Sequence, residues 1–452
     1  MTSSLNTVTF LMANTPLGTV LLCLQAFAFT AVFAHVTSAQ ESPFLQSSSI
    51  GLTFQQALDQ LNKTNLSVLN AENKLLSAQK QENVFESAYY PTVIGTINGT
   101  EYDKKQLSTD SKYSVQSQLS LTQNLFSGFS DQNKINQARE NTKASLEILK
   151  NTKSKAYAEL KQVYQKNIYS KDFIRLADKI SQRRQDNYRL VELRFNSGRE
   201  NKGNVFLFKA YTEQALLEKL QAENTASNSH WELAKTLGYD QNIKIEVLDS
   251  KLPMATLPEK PDYFGIVLEH PEYKASVAQE EATQFEYNAS KSKFMPSLDL
   301  SASYTYSDTN FFPQRNEGWN AGLTLSFPFF SGGRDVANSQ SSFALWKAQS
   351  SAKALTEKQI LLGLKTAYTN YQEALQKLRV DQSFREAASV RADIAKNKYN
   401  NGLLTFESWD QVENDFILRE KNLLASQRDL VYAEANWLQA QGLDSNEGLK
   451  DF

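Results

Sequence analysis

The chain has 452 residues, 41% hydrophobic and 22% charged, with 48 Lys plus Arg against 50 Asp plus Glu. A formal charge of −2 and a pI of about 6.1 leave no basic footprint and argue against nucleic acid as a partner. Only 10 prolines and 17 glycines interrupt it, which leaves room for long unbroken helices.

Residues 1–39 contain no Lys, Arg, Asp or Glu. Val20 to Ala34 is almost wholly apolar and runs into the small residues Thr37, Ser38 and Ala39. The segment reads as a secretory signal peptide, although no positive side chain precedes its apolar run. Its only competitor, a membrane anchor, needs about 20 apolar residues. Cys23, the single cysteine, lies inside this run, so the mature chain has no thiol and no cysteine ligand for a metal. Beyond it no run of 18 apolar residues occurs, and any crossing of a membrane is left to β-strands.

Offset by about 204 residues, the chain matches itself. Tyr90-Pro91 meets Met295-Pro296, Leu125-Phe126-Ser127-Gly128 meets Phe329-Phe330-Ser331-Gly332, and Phe195-Asn196-Ser197-Gly198 meets Tyr399-Asn400-Asn401-Gly402. A duplication follows: residues 40–238 form a first structural repeat, 239–261 a proline-bearing connector, 262–442 a second repeat and 443–452 a tail.

The first repeat predicts a helix from Thr53 to Ala88, ended by Pro91. Extended segments follow at Thr92 to Tyr102 and Tyr113 to Phe126, joined by the polar loop Asp103 to Lys112. A helix from Ser130 to Phe195 comes next, roughly 100 Å long at 1.5 Å per residue. Gly198 and Gly203 bracket a turn before a helix from Val205 to Leu237. The second repeat predicts a helix from Asp262 to Lys293, strands at Pro296 to Ser307 and Gly318 to Phe330, a helix from Arg334 to Tyr399, a turn, and a helix from Phe406 to Ala440. Helices this long fit a coiled coil or a helical array rather than a globular core.

The strands alternate. Gln116, Gln118, Ser120, Thr122 and Asn124 oppose Val115, Leu119, Leu121 and Leu125; Ser301, Ser303 and Thr305 oppose Leu298, Leu300, Ala302, Tyr304 and Tyr306; Asn320, Thr324 and Ser326 oppose Trp319, Ala321, Leu323 and Leu325. The polar faces are nearly uncharged and the segments have the length of a membrane strand, so the polar set is expected to line a barrel lumen. Tyr89, Tyr90, Phe126, Phe129, Phe294, Phe327, Phe329 and Phe330 gather where strands meet helices and are expected at the lipid interface. Four strands cannot close a barrel. A dimer is formally sufficient, but a trimer with twelve strands leaves a water-filled passage.

The opposite ends of the helices are the candidate gate, with Gly198, Arg199, Glu200, Lys202 and Gly203 at the first turn and Gly402, Glu407, Ser408, Asp410 and Gln411 at the second. In a three-fold assembly, inward acids here, with Glu413 and Asp415 close by, would form charged rings; the plainer reading is solvent-facing charge at a helix N-terminus. No catalytic or metal-binding constellation emerges: His35 falls in the leader, while His230 and His270 stand far apart without clustered acids. No phosphate-cradling glycine motif and no cofactor signature occur.

In these duplicated phrases, over about Leu52 to Leu443, the chain resembles the TolC family of outer-membrane efflux proteins. The resemblance implies a mainly α fold with membrane β-strands, in which a trimeric 12-stranded β-barrel continues into a long periplasmic α-helical barrel. It also implies a homotrimer in the outer membrane, surrounded by lipid, that works with a periplasmic adaptor and an inner-membrane transporter in efflux or type I secretion. The competing class is a coiled-coil structural or adhesive outer-membrane protein without export activity. Some members of the family carry gating aspartates on the last helix; the matching positions here are Ser408 and Gln411, with Glu407 and Asp410 beside them.

Overall fold

The computed structural model describes residues 50–104, 112–240, 243, 245–308 and 316–443. The expected signal peptide, with Cys23 and His35, most of the loop between Asp103 and Lys112, and the tail beyond Leu443 lie outside the described residues. The elements are β1 (Ile50–Leu52), α1 (Phe54–Thr64), α2 (Leu66–Glu86), β2 (Thr92–Glu101), β3 (Tyr113–Phe126), α3 (Ser130–Asn196), α4 (Lys202–Thr236), β4 (Ile245–Val247), α5 (Tyr263–Glu269), α6 (Pro271–Lys291), β5 (Ser297–Asp308), β6 (Asn316–Ser326), α7 (Arg334–Asn400) and α8 (Phe406–Ala440).

Four departures from the sequence reading have physical causes. The first helix of each repeat is broken, at Asn65 and at His270. Asn65 leaves the helical backbone at φ −65° and ψ 120°, and its side-chain oxygen accepts from the amides of Ser67 and Val68 at 3.0 and 3.1 Å. Its Nδ2 donates to Thr236 O at 2.8 Å, so the buried amide is satisfied at both ends. His270 takes the same backbone turn, and its Nδ1 accepts from the amide of Glu272 at 3.1 Å. Each joint is pressed against the end of its repeat's last helix: a Cβ on Gly238 would stand 2.2 Å from Thr64 O, and one on Gly442 2.5 Å from Pro271 Cδ. Both glycines also have positive φ, 69° and 71°, so a larger residue is doubly disfavoured.

β6 ends at Ser326 rather than Phe330, because Pro328 has no amide to continue a ladder, and Phe327, Phe329 and Phe330 lie in the link to α7. Gly203 sits inside the first turn of α4 rather than in the loop, since Asn201 caps that helix by accepting from the Asn204 amide at 2.9 Å. The connector holds a strand that periodicity does not reveal: β4 pairs in parallel with β1, Ile50 opposite Ile245.

The helices form a curtain. α3 packs against α2 and α4 on one side and against α6 and α8 on the other, and α7 packs on the far side of α6 and α8. α2 grips the strand-proximal half of α3, with Arg139 bonded to Glu82 and Glu86, and α4 grips the distal half through Lys166–Glu232 and Lys219–Asp178. Near mid-length the connector is clamped to the curtain. Lys161, almost wholly buried, meets Glu434 at 2.6 Å and donates to Pro253 O at 3.0 Å, while Glu434 accepts from the Ala255 amide at 2.6 Å. Tyr371 donates to Ala255 O at 2.6 Å, and the single Tyr164 hydroxyl lies 2.9 Å from both Leu52 O and Asp249. Around these bonds Phe54, Leu58, Leu61, Leu160, Leu233, Leu237, Ile245 and Val247 form the largest buried cluster, each large side chain stabilising the fold by about 1.5–3 kcal/mol.

The two joints differ in chemistry. Burial holds the His270 imidazole below its ordinary pKa; the Glu272 carboxylate opposes this and the Lys155 ammonium adds to it. Only the neutral ring can accept at Nδ1. The unfolded ring protonates near 6.5, so this cap's contribution is complete above about pH 6.5 and is lost as pH falls below it through the depressed folded value. His270→Asn copies the Asn65 cap and removes the titration. Between pH 7 and pH 5 the variant should gain on the wild type in thermal unfolding by the equivalent of about 1 kcal/mol; parallel pH profiles would show that the ring does not titrate with folding.

Candidate functional site

Two regions were singled out by sequence, the strand wall and the far helix ends. The four long strands pair antiparallel in the order β2-β3-β5-β6. Their register puts Gln116, Gln118, Ser120, Thr122 and Asn124 opposite Ser307, Thr305, Ser303, Ser301 and Asp299. Asp299, Ser303 and Ser297 are in turn opposite Thr324, Asn320 and Ser326. Directly paired residues point to the same side of a pleated sheet, so every candidate wall residue lies on one face. Asn124 donates to Asp299 at 2.7 Å and Ser303 to Asn320 at 3.2 Å across that face. The other face collects Val93, Ile97, Leu119, Leu121, Leu300, Ala302, Trp319, Leu323 and Leu325. A bulge at Leu125, between the pairs Asn124–Asp299 and Phe126–Leu298, shifts the alternation and turns Phe126 to the apolar side. That bulge was invisible in the hydropathy pattern.

The expected interfacial aromatics sit below this sheet. Phe126 and Phe129 meet edge to face at 5.2 Å, and Phe327 and Phe329 at 4.9 Å. Phe329 and Phe330 are 91% and 89% exposed, and Tyr89, Tyr90, Phe294 and Phe327 are also exposed.

At the far ends, Gly198 and Gly402 both adopt φ +73°. Between the two turns lies an apolar knot of Val191, Phe208, Tyr399, Phe406 and Trp409, with Trp409 stacked on Tyr399 at 4.3 Å and on Phe208 at 5.3 Å. Polar bonds join the two repeats around it. Arg194 lies 4.4 Å over the Tyr399 ring and donates to Tyr399 O at 2.9 Å. The Tyr399 hydroxyl donates to Glu200 at 2.6 Å. Burial works to raise the Glu200 carboxyl, but the bonds from Tyr399, Asn204 and the Asn201 amide, with Arg194 nearby, outweigh it and hold it below the usual range. Burial and Glu200 together push the Tyr399 phenol up.

Two turns further along, Arg183 donates both arms of its guanidinium to Glu413 at 2.7 and 2.8 Å, and Asn187 adds a bond at 3.2 Å. Arg184 lies over Tyr211 at 4.5 Å and donates to Asn414 at 2.6 Å. Tyr211 donates to Asp410 at 3.4 Å, and burial raises the Asp410 carboxyl against the pull of Arg184. Lys421 meets Glu218 at 2.7 Å. Of the acids expected near the second turn, Glu413 and Asp410 therefore face the first repeat, and Asp415 pairs with Arg391 and Arg419. Glu407, Ser408 and Gln411 are exposed, as are Arg199, Lys202, Gly203 and Gly402. The bases that complete the clasp, Arg183, Arg184 and Arg194, escaped sequence reading. Their only signal was placement on the helix opposite the acids, and no local motif encodes that.

The sequence matches the family described as outer membrane efflux protein over residues 57–239 and 266–443. No curated protein matches significantly. Among solved structures, the fold is similar to the transmembrane channel CusC (TM-score 0.78, 16% identity, 88% of this chain and 95% of that one). It is also similar to the outer membrane protein VceC of Vibrio cholerae (TM-score 0.75, 16% identity, 86% and 96%). The open state of the Neisseria gonorrhoeae MtrE outer membrane channel gives a TM-score of 0.74 at 17% identity, covering 90% and 94%. With the family matched across both repeats, this chain belongs to the outer membrane efflux protein family.

Proposed function

We propose that three copies of this chain close into a duct, a 12-stranded barrel in the outer membrane continued by a helical tube in the periplasm. One observation carries the reading: the sheet and the curtain are open on the same two sides. β2 and β6 are the sheet edges, α2 leads into β2, and β6 leads into α7, the last helix of the curtain. The distal edge of α4 exposes Phe206, Leu217, Leu220 and Trp231, each more than half exposed, and α7 exposes Val380, Val390 and Ile394. These residues recur at helical spacing, as stripes that want a partner. A neighbour's β6 and α7 laid against β2, α2 and α4 satisfy both edges at once. In that ring the polar strand face lines the lumen and the apolar face meets lipid.

The duct serves as the outer-membrane channel of a tripartite efflux or type I secretion system. An inner-membrane transporter supplies the energy, and a periplasmic adaptor docks on the exposed turns around Arg199, Lys202 and Gly402. The clasp between the repeats holds the tip, and opening separates α3 and α4 from α7 and α8.

Because Cys23 is the only cysteine, the mature chain suits disulfide mapping. Leu220 and Val380 each stand about 30 Å from the tip turn at 1.5 Å per residue. The double variant Leu220→Cys, Val380→Cys should give a reducible three-chain species on oxidation, and each single variant none; a solution mass of one chain would refute the ring. For the gate, Glu413→Gln keeps the size but removes the charge from Arg183. It should raise single-channel conductance in planar bilayers, and unchanged conductance would show that the clasp does not hold the tip shut.

A further inference from the structure

On the polar face of the sheet every described residue but one is uncharged: Thr, Ser, Asn, Gln, Gly and Ile94 occupy the remaining positions. The exception is Asp299, one residue pair from the periplasmic end of β5, held in place by the 2.7 Å bond from Asn124. It opens on a basin at the junction of strands and helices, whose other charged lining groups are Asp131, Lys134, Lys293, Arg334 and Asp335. Arg334 and Asp335 are paired at 3.4 Å. The basin is balanced, three carboxylates against three cations, and loss of Asp299 would leave one net positive charge per chain.

Resting on the ring described above, we infer that Asp299 is the charge-selectivity determinant of the barrel's inner mouth. Three copies set three carboxylates into an otherwise uncharged strand wall; with them the mouth is balanced and without them it carries net positive charge, so Asp299 favours cationic over anionic solutes relative to its absence. The collar acts through its field rather than by contact. The Debye length is about 30 Å at 0.01 M salt and about 3 Å at 1 M, so the field fills the lumen in dilute salt and clings to the wall in concentrated salt.

The test is the reversal potential of the purified protein in planar bilayers under a KCl gradient. Asp299→Asn keeps an oxygen to accept from Asn124. In dilute salt it should shift the reversal potential towards that of chloride, and the shift should vanish near 1 M. An unshifted potential in dilute salt overturns the inference, and so does a shift that persists at 1 M, which would mark a reshaped pore. Gln118→Lys, higher on the same face, separates the two levels of the argument. If it shifts selectivity while Asp299→Asn does not, the selectivity assignment falls and the luminal face stands. If neither shifts, the luminal reading itself fails.

Discussion

A peptide group in hydrocarbon has no water to pair with, and each unsatisfied one costs several kcal/mol. In the proposed membrane setting the four-stranded sheet leaves both of its edges in that position, along all of β2 and β6. No rearrangement within one chain removes the cost, because the two edges lie at opposite ends of the strand order. The constraint passes down into the helices, since α2 and α7 continue those same edges. Under that proposal a single chain is an arc, and the apolar stripes on α4 and α7 continue its open ends into water.

An arc must also keep its two halves in step. α3 and α7 each have 67 residues, and α4 and α8 each have 35, so the turns at Gly198 and Gly402 finish level and their aromatic side chains can interleave. The connector's clamp at Lys161 and Glu434 works as a splint at mid-height. A fully buried ion pair stabilises little against a hydrophobic pair of equal volume, but removing one partner alone is strongly destabilising. The extra bonds, from Lys161 to Pro253 O and from the Ala255 amide to Glu434, tie both groups to one stretch of chain.

Much of this was legible in sequence. Strand β3 and helix α8 have the bounds read from hydropathy and punctuation, because alternation, glycine and proline are local signals. The shared polar face of the strands was equally legible, since one face of a strand is written at every second residue. The breaks at Asn65 and His270 were not, because each depends on a long-range contact with the end of another helix, Thr236 O in one case and Gly442 in the other. β4 is only three residues long and exists through its pairing with β1. At the tip, glycines marked the place while the bonding remained hidden, for Arg183 and Glu413 are 230 residues apart.

The two repeats have diverged most usefully where they touch. Identical copies would close a ring with six equal seams and would not distinguish a neighbour in the same chain from one in the next. Within this chain the seam is written in charge: α3 supplies Lys161, Arg183 and Arg184, and α8 answers with Glu434, Glu413 and Asn414. The open edges carry exposed apolar stripes instead. A charged seam fixes register and partner, because a mismatched buried charge costs more than a matched one returns. An apolar seam tolerates sliding, because it depends on area rather than on particular pairs. In the proposed duct, opening parts α3 and α4 from α7 and α8 against this clasp, and the apolar seams between chains can slip to accommodate that movement.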